Sequence, residues 1–162
     1  MDLIFSIDPG NVYSAYSILD IEQGLKPIRF GKITNEEMLK VIEEEIAQIK
    51  YFPIEMVASY GMPVGATVFE TCVWIGRFVQ AVTERSKVKP IFVYRKDEKM
   101  ALCHSMKARD ANIRQALIDR FGVVGTKKNP GWFYGVSKDV WSAIAVGVTF
   151  YDMNLSIGIY YE

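Results

Sequence analysis

Leu3-Ile4-Phe5-Ser6-Ile7-Asp8-Pro9-Gly10-Asn11 is the stretch that decides how this chain is read. An apolar run, one acid and a Pro-Gly turn describe a first β-strand that ends on a single carboxylate. Nothing adjacent in sequence can pair with that carboxylate. A half-buried lone acid is costly unless positive charge meets it. In a chain that opens on a strand of the α/β type, a divalent cation is one answer. The question is whether further acids converge on Asp8.

Working outward, Val12 to Leu19 is a second β run, with Tyr13, Ala15 and Ser17 alternating against Tyr16 and Ile18. Pro27 to Ile33 is a third. Short Gly-containing turns join the three, which predicts an antiparallel meander. Thr34-Asn35-Glu36-Glu37 is a capping box with Thr34 as N-cap. The helix behind it sets Met38, Leu39, Val41, Ile42, Ile46 and Ile49 on one face, and turns Glu43-Glu44-Glu45 to water. Pro53 opens a fourth strand, Ile54 to Ser59. After a loop with Gly61, Pro63 and Gly65 comes a helix from about Ala66 to Arg85. It is apolar nearly all round and predicts a central, buried helix. Pro90 to Tyr94 is a fifth strand.

Lys96 to Cys103 leaves room for a short helix, and Asp110 to Phe121 is a clearer one. Gly122 to Ser137 is a glycine-rich loop, and Lys138 to about Asp152 is the last long helix. The tail, Leu155 to Tyr161, reads as an extra strand or as cover for a partner surface. The order β-β-β-α-β-α-β-α-α predicts an α/β fold. Its mixed five-stranded sheet joins a three-strand antiparallel meander to two parallel strands, flanked by helices on both faces. This order resembles the ribonuclease H-like fold. At 162 residues, the whole span 1–162 is expected to be one domain.

Composition bounds the function. Half of the residues are hydrophobic and 23% are charged, which excludes disorder. The formal net charge of +0 argues against binding nucleic acid through the whole surface, but leaves room for a local basic patch. Cys72 and Cys103 lack metal-type spacing and are expected to be core thiols in a reducing compartment. No stretch has transmembrane length and the N-terminus lacks a signal-like pattern, so the expectation is a cytoplasmic protein without membrane contact. His104, the one histidine, reads as a surface or helix-end residue, so a histidine base is not expected.

Metal-assisted phosphodiester cleavage uses two Mg²⁺ ions about 4 Å apart, held by several carboxylates. In this fold the acids must come from the first strand, the fourth strand and the last helix. Asp8 fits the first. Glu55 fits the second, as an acid within Tyr51-Phe52-Pro53-Ile54-Glu55-Met56-Val57. Asp139 fits the third, in a first helical turn where the dipole favours an anion. Each also has a plain structural reading: turn acid, edge residue and helix cap.

These residues make the chain resemble the RuvC-like Holliday-junction resolvases, most closely their phage-borne relatives. Ser6-Ile7-Asp8-Pro9-Gly10 is similar to that family's opening strand, and Phe52-Pro53-Ile54-Glu55-Met56-Val57 to its second acidic strand. Tyr94-Arg95-Lys96-Asp97-Glu98-Lys99 resembles the segment after its fifth strand, where basic side chains approach DNA. Asp139-Val140-Trp141-Ser142-Ala143-Ile144-Ala145-Val146 aligns without a gap to its last acidic helix. Many members carry an aspartate three residues after the first acid of that helix, where this chain has Ser142. Positions i and i+3 face the same way, so Ser142 could bind a metal only through its hydroxyl or a water. Glu70 is a substitute acid, or more simply a polar-face residue. The resemblance implies a homodimer that nicks opposed strands of a four-way DNA junction, with Mg²⁺, or Mn²⁺ in its place. It assigns the ions to Asp8, Glu55, Asp139 and Ser142. The helix over 66–85 and the aromatic tail are the expected dimer surfaces.

Lys96, Lys99, Lys107, Arg109 and Arg114, with Lys127, Lys128 and Lys138, are the candidate phosphate contacts. One of Lys99, Lys107 and Lys138, with Lys99 preferred, is the candidate for steadying transition-state charge. The other reading of each is surface solubility. Tyr60 or Met62 could wedge against unstacked bases, or pack beneath their loop. Trp132, Phe133 and Tyr134 invite the same two readings. Two further functions stay open: a catalytically inactive module that binds branched DNA, and a ribonuclease H-like nuclease with another substrate. An actin-like ATPase fragment is disfavoured by length and by the lack of a second phosphate loop.

Overall fold

In the computed structural model, which describes residues 1–156, strands β1 (Leu3–Asp8), β2 (Tyr13–Asp20) and β3 (Lys26–Thr34) form the expected antiparallel meander. Strands β4 (Ile49–Glu55) and β5 (Pro90–Val93) extend it in parallel, giving the order β3-β2-β1-β4-β5. Five helices cover this sheet: α1 (Asn35–Glu45), α2 (Ala66–Arg85), α3 (Arg95–Cys103), α4 (Asp110–Phe121) and α5 (Lys138–Asn154). Three helices follow β5, because Arg95–Cys103, where the sequence left room for a short helix, is helical.

The period-2 alternation of β1 divides two cores. Leu3, Phe5 and Ile7 pack on one face with Met38 and Ile42 of α1 and with Ile75, Phe78 and Val82 of α2. Ile4 and Leu19 pack on the other with Ile113 and Leu117 of α4 and with Val140, Ile144 and Val148 of α5. Each fully buried side chain of this size contributes about 1.5–3 kcal/mol relative to exposure. On the second face α5 runs very close to the sheet. A Cβ on Gly147 would lie 2.7 Å from Leu19 Cδ1, and Ser6 Oγ donates to the Ala143 carbonyl at 2.7 Å. Ser6 and Asp8 share a strand face, and Asp139 lies one helical turn before Ala143. Sheet and helix thus carry both acids to one end of the molecule.

Several expectations are corrected. Helix α2 is not buried all round: Phe69 and Val73 are 62% and 64% exposed. It shares its sheet face with α1, so a single stripe through Thr71, Ile75, Phe78 and Val82 meets the core. The helix buried along most of its length is α5. Strand β4 begins at Ile49 and contains Pro53, rather than starting there; the ring only costs the ladder one donor. Residues 56–59 lie beyond the strand. Cys72 and Cys103 are free and half-buried; Cys103 packs against the second core, and Cys72 belongs to neither. Glu44 and Glu45 are not simply solvated, since Arg29 on β3 reaches them at 3.1 and 2.6 Å. The N-cap holds, with Thr34 Oγ1 accepting from the Glu37 amide at 3.2 Å. The strand or cover expected over 155–161 falls, from residue 157 onward, outside the described residues. Among the described residues no helix is long and apolar enough to cross a membrane.

Candidate active site

Parallel pairing of β1 with β4 sets Ile7 beside Ile54. Asp8 and Glu55, one residue further on, therefore end adjacent strands side by side and wall one cavity of about 290 Å³. The turn behind Asp8 is fixed from both sides. The Gly10 amide donates to Ser14 Oγ at 3.1 Å, and buried Asn35 donates from Nδ2 to the Gly10 carbonyl at 2.9 Å. Asp139, in the first turn of α5, shares a second depression of about 290 Å³ with Asp8. Its Oδ2 lies 2.5 Å from Lys32 Nζ on β3.

A further acid and two cations join these. Glu98 enters from the first turn of α3 and is fully buried. Its Oε1 accepts from Arg95 at 3.1 Å, while Oε2 is buried with no donor. Arg95 also pairs with Asp110 at the start of α4. Glu98 interacts electrostatically with Glu55, and Glu55 with Asp8, so the three carboxyls are coupled.

Negative charge is crowded here. Burial pushes the Asp8 carboxyl up to about 9, helped by hydrogen bonding and repulsion from Glu55 and by the charge of Asp139, with Arg95 opposing. Burial lifts Glu55 to about 7, and the charge of Glu98 adds to this. Glu98 is also raised to about 7 by burial, against hydrogen bonding from Glu55 and the pull of Arg95. Carboxyls that resist ionisation together are suited to a divalent cation, whose charge offsets both burial and repulsion. An all-oxygen donor set suits Mg²⁺ or Mn²⁺. The residues fit such an ion in chemistry, although among the described residues no three acidic, histidine or cysteine side chains are gathered tightly enough to hold one as they stand.

The other candidates fall into three groups. Ser142 is half-buried and lines a cleft of about 500 Å³ together with Asp139, Lys138 and Arg114. Arg114 stacks on the Trp141 ring at 5.1 Å. This cleft meets the acid cavity at Arg95, which lines both. Tyr60 lies on the rim of the acid cavity, exposed and in the left-handed backbone region at φ 49°. The remaining lysines and arginine do not line the acid cavities. Lys96 lies over the Tyr94 ring, Lys99 is half-buried on α3, and Lys107 and Arg109 are exposed between α3 and α4. Lys127 and Lys128 stand on the loop closed by the Gly125–Pro130 bridge. Lys99, preferred for steadying transition-state charge, stands on α3 outside both cavities, whose cations are Arg95 and Lys32.

Glu70 accepts from Asn11 Nδ2 at 3.2 Å on the surface and steadies the turn. Trp132 stacks on Phe121 and Phe133 is fully buried, so both pack; Tyr134 is exposed. His104 ends α3 in the left-handed region, as a helix-end residue. Sequence reading missed Glu98, Arg95 and Lys32. The i,i+3 spacing of Arg95 and Glu98 directly behind a strand end was a usable signal. Lys32 had none, because its place follows from strand register.

In sequence, no protein-family model matches this chain. No curated protein matches it either. In structure it is similar to RuvC of T. thermophilus in complex with Holliday junction substrate, at TM-score 0.68 and 13% identity over 95% of this chain and 97% of that one. A second Thermus thermophilus RuvC structure gives TM-score 0.65 and 16% identity over 93% and 95%. The chain has the RuvC-like fold, within the ribonuclease H-like architecture.

Proposed function

We propose that this chain is a divalent-metal-dependent endodeoxyribonuclease that resolves four-way or other branched DNA by paired phosphodiester nicks, with residues 1–162 as a single nuclease domain. The observation that carries the reading is the side-by-side ending of β1 and β4 on Asp8 and Glu55, with Asp139 delivered beside Asp8 by α5. The likeness to RuvC, solved with a Holliday junction substrate, supports the choice of substrate.

Asp8, Glu55 and Asp139, with Ser142 through its hydroxyl, are the residues that would hold two Mg²⁺ ions, or Mn²⁺, and bound ions would polarise the phosphodiester and activate a water. The chain's own residues have separate tasks. The Ser14 and Asn35 hydrogen bonds aim Asp8. Arg95 offsets the charge of Glu98 and so lets Glu55 stay close. Arg114 and Lys138 offer charge to phosphates along the cleft beside Asp139. Lys96, Lys99, Lys107, Arg109, Lys127 and Lys128 extend that contact, salt-dependently. Tyr60 and Met62 present exposed apolar surface where a branch point leaves bases unstacked. Paired nicks require a two-fold axis matching the junction. The outward Phe69 and Val73 of α2 are the surface we assign to a homodimer.

Two features favour a second reading, a branched-DNA-binding module without activity. Ser142 replaces an acid, and Lys32 already holds Asp139. Cleavage of a labelled four-way junction, beside linear duplex and RNA–DNA hybrid, tests both with Mg²⁺, Mn²⁺ or EDTA. Symmetric nicks in the junction, abolished by EDTA and by Asp8→Asn, are expected. Binding without cutting under either metal would establish the module, and cutting of hybrid or duplex alone would discard the junction.

A further inference from the structure

We propose that Lys32 is a substrate-binding cation of this site: when DNA docks, its ammonium leaves Asp139 and takes an oxygen of the phosphate beside Asp8. The inference rests on the nuclease reading above and deepens it.

Three observations carry it. Asp8 pairs with Ala15, and Ala15 pairs with Lys32, so the three stand in one row across β1, β2 and β3. Directly paired residues of antiparallel strands share a face. The residue between the two charged ones is a buried alanine, too short to separate them. Second, Lys32, Asp8 and Asp139 wall the same depression, which the Pro9-Gly10 turn borders. Third, the two cations among these acids are held differently. Arg95 is engaged by buried Glu98 and by Asp110. The ion pair of Lys32 with Asp139 joins side chains 47% and 43% exposed. A pair so exposed is weak and exchanges readily. A phosphate oxygen is an equivalent charge-assisted acceptor. The Tyr13 ring, 5.9 Å from Nζ, gives the ammonium a neighbour that stays when Asp139 leaves. Placement on a strand also makes the position more rigid than one on a loop.

The exchange has two consequences. It brings positive charge to an incoming polyanion in a place crowded with carboxylates. It also frees Asp139, so that one movement serves substrate and acid together.

The test uses Lys32→Gln and Lys32→Arg in the full chain, with Asp8→Asn as reference. Single-turnover cleavage of a labelled four-way junction is measured with Mg²⁺ at protein concentrations well below saturation, where the rate reports binding and chemistry together. Binding of MnCl₂ without DNA is measured by calorimetry. Lys32→Gln is expected to cut about 10²-fold more slowly, the scale of losing one group that stabilises transition-state charge. It is expected to bind Mn²⁺ up to about fivefold more tightly, because Asp139 is released from a weak ion pair. Lys32→Arg should recover part of the rate. An active wild type, an inactive Asp8→Asn and a Lys32→Gln that cuts at wild-type rate would overturn the role of Lys32 and leave the nuclease reading standing. Weaker Mn²⁺ binding by Lys32→Gln would overturn it too. A wild type that neither cuts nor binds Mn²⁺ would remove the nuclease reading, and this inference with it.

Discussion

At Gly10 a Cβ would lie 2.3 Å from the Tyr13 carbonyl oxygen, so the turn behind Asp8 admits no side chain. Gly10→Ala must push that turn away from Ser14 and Asn35. We expect it to cost about 1–3 kcal/mol, read from urea unfolding, and to lower cleavage further than stability alone explains. Protonation gives a second prediction at this scale. Asp8, Glu55 and Glu98 hold their protons more tightly folded than unfolded, with folded values near 9, 7 and 7. Stability from these groups is therefore fullest at acid pH and declines as pH rises from the ordinary carboxylate range through 7 towards 9. In EDTA the protein should melt roughly 4 °C or more lower at pH 8 than at pH 5.5. Asp8→Asn should flatten that difference, and Mg²⁺ should raise melting mainly at pH 8. A melting temperature that climbs from pH 5.5 to 8 in EDTA would contradict this account of the site. Asp8, Glu55 and Asp139 were legible because each breaks a local pattern: an acid at a strand end, in an apolar strand or in a first helical turn. Lys32 breaks none, being an ordinary strand lysine, and the i,i+3 pairing of Glu98 with Arg95 is masked by the run of charges around it.

The elements were legible where a periodicity met a single environment. The meander and α4 match their expected spans closely for that reason. Helix α2 misled because apolar content does not say how many neighbours a helix will have. Its Phe69 and Val73 outnumber the sheet surface left to it by α1. Pro53 misled in the other direction, since a strand inside a sheet can lose one donor and persist. Helix α5 supplies the prediction at this scale. Ser142 follows Asp139 by three residues and lines the same cleft. Ser142→Asp should raise Mn²⁺ affinity about tenfold in calorimetry if that face serves the ions. An unchanged isotherm would place Ser142 outside the metal site.

For the whole molecule, the prediction concerns assembly. The proposed two-fold pairing puts the outward stripe of α2 between copies. Val73→Asp should yield a monomer by light scattering, while unfolding free energy per chain shifts by about 0.5 kcal/mol or less, as for a surface change. Junctions should then be nicked on one strand at a time. The zero net charge also means that DNA contact depends on where cations stand rather than on their total. Finally, α5 has its N-terminus at the acids and its body in the core, where Gly147 lets it press on Leu19 and Ser6. Its amides should exchange with deuterium only through global opening. Such coupling leaves little scope for a loosened but folded enzyme, so heat inactivation and melting should follow one curve, and drift in the catalytic end would be purged by selection for folding itself.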